Sequence, residues 1–517
     1  MASNNSSVHF DLKTHATDFV PDAVTRDALR RLIHQQDEEL KDLDDEISQL
    51  RVPPRVLKEQ RAELAKSHLL HRAFLGPIRK LAPEILGEVF IQLASQRPLY
   101  CRFISDWLIS DVRLPLLLVC QRWKRIAMGT PRLWTFSRIN PAPWSVDKRP
   151  QIGLQICLDN SGCLPIQVEL AHYNFEGSVE IRHLLNNFHR VGKFQGYGSP
   201  LMQEILRRGI ILQTPLLKVV RLLGYDSAVS QDEPRHKDII QAPPIEFLEL
   251  NNCPSLFSVF CRKPGMLQHL TVKGSSVSDR YTPALLDILP FLSSLRSLDL
   301  RLPRNMIAIR KDVQRISLPH LRSLRVHGRL KHVYRLLAVL DVQSLDRLVL
   351  RSGSRYPVAT SWILIQSFLQ GDPPPLRYLT LQCTLLGPGF VEFISRLSHL
   401  EHLLLNTCGI KAEHLEPFIL DSHIPHDNMV CPRLATLSIF AATFPEETLV
   451  QVLQSRVPLA GTPWENRCLR YVNIWSCSQG AGYWHALGDI DKACEGNLTL
   501  ELESYGCSSR CTGTCAR

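Results

Sequence analysis

Between residues 29 and 50, Leu29, Ile33, Gln36, Leu40, Leu43, Ile47 and Leu50 follow steps of four and three, with charged residues filling the gaps. That spacing predicts a helix whose apolar seam faces a second helix. Pro53-Pro54 ends it, because proline lacks an amide donor and clashes with the preceding turn. A second helical pattern spans Arg55 to about Leu75, with Leu57, Leu64 and Leu69 as its apolar positions. The pair is expected to dimerise as a coiled coil, to fold back as a hairpin, or to lie as solvated helices on its own domain. Residues 1–25 are polar and without periodicity and are expected to be a disordered leader.

Gly76-Pro77 breaks the pattern, and Pro83 stands where a helix tolerates proline, at its first turn. The helix Glu84–Gln96 is expected to place Ile85, Leu86, Val89, Phe90 and Leu93 on one broad face. Residues 97–113 look like an inserted loop. One further helix is expected over Leu114–Met128, carrying Leu117, Leu118, Cys120, Trp123 and Ala127, and Pro131-Arg132-Leu133-Trp134 closes the module.

Beyond residue 150 the period changes to two. Ile152, Leu154, Ile156 and Leu158 alternate, as do Ile166, Val168 and Leu170, and both runs predict strands. An L-x-x-L-x-L pattern then recurs, starting at Leu217, Ile245, Leu267, Leu295, Leu321, Leu345, Leu376, Leu400, Leu434 and Leu469. Recurrence in order at such intervals indicates a repeat architecture. Cys253, Cys408 and Cys477 extend three units to L-x-x-L-x-L-x-x-C. Return segments at Pro283–Leu292, Val333–Leu340, Trp362–Leu369 and Phe390–Leu397 are apolar at helical spacing and should pack behind the strands. The repeat is faint over 171–215, its register is least secure after 434, and 506–517 is expected to be a flexible tail.

Composition narrows the function classes. The chain has 517 residues, 44% of them hydrophobic and 21% charged, enough for a large core and too few charges for global disorder. No apolar run approaches the ~20 residues of a membrane span, and the first residues lack the features of a secretory signal. A soluble cytoplasmic or nuclear protein is expected. The 15 cysteines are odd in number and dispersed, as reduced core residues would be. The net charge of +10 is uneven: Arg301 to Arg335 holds ten Lys/Arg against one acid, Asp312. Phosphate-binding glycine loops, H-E-x-x-H and G-x-S-x-G are absent from the sequence. His68 and His71, and the widely spaced Cys507, Cys511 and Cys515, are weak metal signals. No catalysis, metal or other cofactor is expected.

Residues 77–134 resemble an F-box. Leu81, Pro83, Glu84, Ile85, Val89, Phe90, Leu93, Leu118, Val119, Cys120, Trp123 and Leu133 carry the likeness; Ala82 and the insertion before Leu114 depart from it. The later pattern resembles leucine-rich repeats, and the whole arrangement is similar to a large group of fungal F-box proteins. The resemblance implies an α/β chain: helical coiled-coil-like segment 26–75, all-α F-box 76–136, and a leucine-rich-repeat solenoid over 150–505 with a curved parallel sheet. It further implies a substrate receptor of an SCF-type ubiquitin ligase. Leu81, Pro83, Glu84, Ile85, Val89, Phe90, Leu118, Val119, Cys120 and Trp123 would dock on the Skp-type adaptor of the cullin-RING core, and the repeats would hold a protein substrate. A repeat scaffold without a ubiquitin role is the alternative.

In such a solenoid the residues between the apolar positions point outward. That rule exposes Lys273, Arg301, Arg325, His327, Arg347 and Arg351 across neighbouring units, a lane suited to an acidic or phosphorylated segment. A solvated basic face without a ligand is the competing expectation. Later units expose Tyr378, His402, Leu404, Phe440, Tyr471 and Trp475, either as interface anchors or covered by a Leu498–Leu502 strand. Nucleic acid is an unlikely partner, because the aromatics are not interleaved with the basic window.

Overall fold

The computed structural model describes residues 20–49, 55–96, 113–139, 149–170, 184–197, 214–224, 243–252, 266–274, 281–302, 315–352, 373–384, 386–387, 389–407, 410–420, 429–441, 445–457, 469–476 and 498–504. The chain divides into two compact units, residues 1–137 with 142–166, and residues 138–141 with 167–517. Among the described residues no helix is long and apolar enough to cross a membrane.

The first unit opens with helices Ala23–Gln49 and Arg55–Leu75. Asp22 accepts from the Thr25 amide at 2.8 Å and so caps the first. Gln36 meets His71 at 2.9 Å and Ser67 at 3.2 Å, while Asp44 pairs with Arg61. Partner numbers fall on one helix as they rise on the other, so the two form an antiparallel hairpin. Leu29 is buried, and Ile33, Leu40, Leu43 and Ile47 are half-buried along the expected seam. On the second helix the seam continues from Leu57 and Leu64 to His68, His71 and Phe74; Leu69, five residues past Leu64, points to solvent.

Helix Pro83–Gln96 follows a 3-10 turn at Pro77–Lys80. Its apolar positions do not share one face, as the sequence suggested. Leu86 and Phe90 enter a core with Leu116, Ala127, Leu133, Trp134 and Cys157, while Ile85, Val89 and Leu93 form an exposed ridge beside it. The expected helix Leu114–Met128 is two helices, Arg113–Val119 and Gln121–Met128. Cys120 breaks it by adopting an extended backbone (φ −164°, ψ 169°), and its sulfur accepts from the Trp123 amide at 3.5 Å. The cysteine thus acts as an N-cap, a role normally given to Ser, Thr, Asp or Asn.

The alternation at Ile152, Leu154, Ile156 and Leu158 does not make a strand: Arg149–Asn160 is a helix. Pro150 sits in its first turn, and Gly162, with φ +58°, follows its end. Adjacent Cys157 and Leu158 are both buried, which a half-buried strand would not allow.

A sheet of 14 strands follows strand order along the chain. It begins with β1 (Phe136–Ile139), β2 (Ile166–Leu170) and β3 (Val191–Tyr197), the last within the faint 171–215 region. The ten repeat units supply β4 (Val219–Leu223), β5 (Phe247–Asn251), β6 (His269–Lys273) and β7 (Ser297–Arg301). A short strand β8 (Ile316–Ser317) pairs in parallel with β10 (Leu340–Asp341) outside this sheet. The main sheet continues through β9 (Ser323–Gly328), β11 (Arg347–Ser352), β12 (Tyr378–Thr384) and β13 (His402–Thr407). It ends with β14 (Thr436–Ala441), β15 (Tyr471–Ser476) and β16 (Thr499–Ser504). Every pairing from β3 to β16 is parallel.

Every apolar position of the ten units is buried. The first of each trio packs just before its strand, and the other two point inward from it. Return helices include Tyr281–Ile288, Leu330–Val339, Phe390–Ser395 and Glu446–Arg456. The first three overlap expected segments, and Glu446–Arg456 was not expected. Trp362–Leu369 lies outside the described residues, as do the leader through residue 19, the insertion 97–112, the tail and Cys253, Cys408 and Cys477; the last residues of the expected leader, from Ala23, are helical. Most of the Leu498–Leu502 segment belongs to β16, which pairs with β15 at the end of the sheet and so flanks Tyr471 and Trp475, while Tyr378, His402, Leu404 and Phe440 lie on earlier strands.

Candidate functional site

Parallel register sorts the outward side chains of the sheet into three lanes. The first lane runs Phe247, His269, Ser297, Ser323, Arg347, Tyr378, His402, Thr436 and Tyr471. The second includes Arg221, Glu249, Thr271, Asp299, Arg325, Val349, Thr380, Leu404 and Ser438. The third carries Lys273, Arg301, His327, Arg351 and Gln382 on successive strands. Adjacent members stand about 4.8 Å apart along each lane.

Four cations on this face and its edge have an acid on the next strand. Lys218 meets Glu246 at 2.8 Å, Arg221 meets Glu249 at 3.5 Å, Lys273 meets Asp299 at 3.6 Å, and Arg377 meets Glu401 at 2.7 Å. The Arg377 hydrogen bond holds the Glu401 carboxyl below the usual glutamate range. Among the described residues no carboxylate forms an ion pair with Arg325, Arg347 or Arg351. Arg347 instead lies over the Tyr378 ring at 4.4 Å, and His402 stacks on that ring at 4.2 Å with an interplanar angle of 2°. These groups line a cavity of about 580 Å³, together with His327, Val349, Thr380, Leu404 and Ser438.

Burial lowers the pKa of His327, and the neighbouring cations Arg301 and Arg351 lower it further. His402 is lowered chiefly by burial as well, although Glu401 pulls the other way. Both imidazoles are therefore held neutral at pH 7.

Of the residues singled out from sequence, Lys273, Arg325, His327, Arg347, Arg351, Tyr378, His402 and Leu404 line this cavity. Arg301 lies beside His327 in the third lane but is not among the lining residues. Tyr471 and Trp475 stand farther along the sheet: Tyr471 donates to Glu501, and Trp475 packs on Phe440 at 5.3 Å. The hydroxyls of Thr380, Thr436 and Ser438 were not anticipated, although the alternation rule that exposed Arg347 exposes them equally.

In the first unit Pro83, Glu84, Ile85, Val89, Leu93, Leu118 and Val119 are exposed. Four of the expected docking residues have internal roles. Phe90 is wholly buried and lies 5.0 Å from the half-buried Trp123 ring, and Cys120 caps the next helix. Leu81 is half-buried against the core, and its carbonyl accepts from Arg122 at 2.6 Å. Buried His68 and His71 face Asp37 and Gln36 across the hairpin. Among the described residues no cluster of three His, Cys, Asp or Glu side chains could hold a metal ion. Comparison with protein-family models and with curated proteins gives no match to this chain.

Proposed function

We propose that this chain is a substrate receptor of an SCF-type ubiquitin ligase, with an F-box in the first unit and leucine-rich repeats in the second. The observation that carries the proposal is the division of helix Pro83–Gln96 into a buried ridge, Leu86 and Phe90, and an exposed one, Ile85, Val89 and Leu93. Leu118 and Val119 add exposed apolar surface on the Arg113–Val119 helix. A fold with a satisfied core has no structural need for such a ridge, and a docking partner would cover it. The partner is a Skp-type adaptor, because the F-box resemblance falls on these same residues. The outward face of the sheet, with its cavity and with Arg325, Arg347 and Arg351 free of ion pairs among the described residues, is the surface for an acidic or phosphorylated client. Such a receptor performs no chemistry itself, needs no cofactor, and works in the cytoplasm or nucleus.

Co-purification with a recombinant Skp-type adaptor tests the proposal. The parent chain should retain the adaptor, and Ile85→Asp with Leu118→Asp should release it while the fold persists. If the parent fails to bind the adaptor but still captures clients through the sheet, the chain is a protein-interaction scaffold without a ubiquitin role.

A further inference from the structure

The geometry points to a site for one phosphate monoester dianion above Val349, held by Arg325, Arg347 and Arg351. This deepens the client-binding reading of the sheet face, on which it rests, and is independent of what the first unit docks. Val349 is the centre of the arrangement. Arg347 and Arg351 are its outward neighbours along β11, Arg325 faces it from β9, and Thr380 faces it from β12. Three arginines and a threonine therefore occupy the outward positions next to a small apolar side chain, and all of them line the cavity, as does Asp299.

Charge pairing distinguishes these arginines from four other cations of the sheet. Lys218, Arg221, Lys273 and Arg377 meet carboxylates on adjacent strands. Asp299 lies opposite Arg325 in register, yet it pairs with Lys273 at 3.6 Å. Arg347 is positioned by the Tyr378 face at 4.4 Å, and His402 backs that ring. Such stacking fixes a guanidinium without consuming its donors.

The chemistry of the occupant follows from count and charge. A carboxylate brings one charge and two acceptor oxygens, enough for one or two arginine forks. A phosphate monoester brings nearly two charges and three strong acceptor oxygens, which can engage all three forks at once. Neutral His327 beside Arg351 adds a ring nitrogen without adding to the repulsion. Thr380, Leu404 and Ser438 leave room in the cavity for the groups that carry the phosphate.

The test uses the full chain at pH 7.5 and constant ionic strength, with inorganic phosphate, acetate and two peptide libraries as probes. One library carries a single phosphoserine, and the other has glutamate in its place. Phosphate should bind at least tenfold more tightly than acetate, and the phosphoserine library at least tenfold more tightly than its glutamate counterpart. Arg325→Gln, Arg347→Gln and Arg351→Gln should each weaken phosphate binding about tenfold, and Lys218→Gln, a paired cation, should not. The three arginines are exposed or half-buried, so melting curves will verify that the variants fold. Equal affinity for phosphate and acetate, or phosphate binding unchanged by the arginine variants, overturns the inference. If phosphate binds as described but the phosphoserine library gains nothing over the glutamate library, the occupant is a free phosphorylated small molecule. Failure of adaptor binding with phosphate affinity intact would remove the ligase reading and leave this site standing.

Discussion

Replacing Ile85 and Leu118 by aspartate should abolish docking and leave the fold intact, whereas replacing Leu86 or Phe90 by alanine should do the reverse. Exposure sets the magnitudes. Ile85 is 54% exposed, Val89 37%, Leu93 41%, Leu118 84% and Val119 56%. Burying a whole aliphatic side chain is worth about 1.5–3 kcal/mol, so covering these exposed fractions offers roughly 4–8 kcal/mol in total. Ile85 and Leu118 supply about half of that. Their aspartate variants also bring two carboxylates into a desolvated contact, so affinity should fall by at least about 3 kcal/mol, more than a hundredfold. Folding stability should move by only about 0.5 kcal/mol, as is usual for surface positions. Leu86→Ala and Phe90→Ala empty fully buried sites and should cost about 2–5 kcal/mol of stability in the first unit. Adaptor titration monitored by calorimetry, alongside urea unfolding of each variant, separates the two effects. If Ile85→Asp with Leu118→Asp binds the adaptor within threefold of the parent, the exposed ridge is not the docking surface.

Three other outcomes are expected. Buried Arg456 donates to the carbonyls of Phe418, Val430 and Cys431, so Arg456→Met should lower the urea stability of the second unit by about 3–5 kcal/mol; a loss below about 1 kcal/mol would contradict this. A Cβ on Gly328 would meet the Leu302 Cβ at 2.8 Å, and neither group is a flexible chain end, so Gly328→Ala should cost about 1–3 kcal/mol in the same assay. Burial first, and then the charge of His68, lowers the His71 pKa, while His327, His402 and His414 are lowered mainly by burial. The unfolded chain therefore binds more protons below about pH 6.5, and the neutral-histidine contribution is complete above that value. It declines as pH falls toward the lowered folded values, so urea midpoints should drop between pH 7.5 and 5.5; an unchanged or higher midpoint would refute the sign.

The sheet was legible because its signal is redundant. Ten trios share one spacing, their strands are parallel and in register, and each inward position is apolar. Once register is fixed, the outward lanes follow, which is why Arg325, Arg347 and Arg351 could be named before their neighbours were known. What stayed hidden was pairing across strands. Lys273 and Arg325 look equivalent in sequence and both neighbour Asp299, yet the carboxylate pairs with Lys273 at 3.6 Å. In the first unit the periodicity of a single helix could not decide between one broad face and two ridges. Ile85 and Leu86 are adjacent, and only the packing of Leu116 and Trp134 selects Leu86 for the core. The break at Cys120 was invisible because a thiol is a poor capping acceptor by propensity. At Ile152–Leu158 a four-residue alternation imitated a strand, and the Pro150 and Gly162 boundaries were the better signal.

His327 reports on the charge of the Val349 site from within the protein. Arg351 stands next to it in the third lane, and Arg301 stands on its other side. Both lower its pKa beyond the effect of burial, and Asp299 opposes them only in part, so the imidazole senses the repulsion among the basic side chains. Two perturbations should move it the same way. Arg351→Gln removes one of the opposing charges, and bound phosphate offsets all three arginines at once; each should raise the His327 titration midpoint, phosphate by more. The imidazole proton resonances of His327, assigned with His327→Asn, give the readout. A midpoint that rises in Arg351→Gln but ignores saturating phosphate would mean that the anion binds elsewhere. A midpoint insensitive to both would mean that solvent screens the lane, and that three arginines around a valine are no more than a wet basic surface.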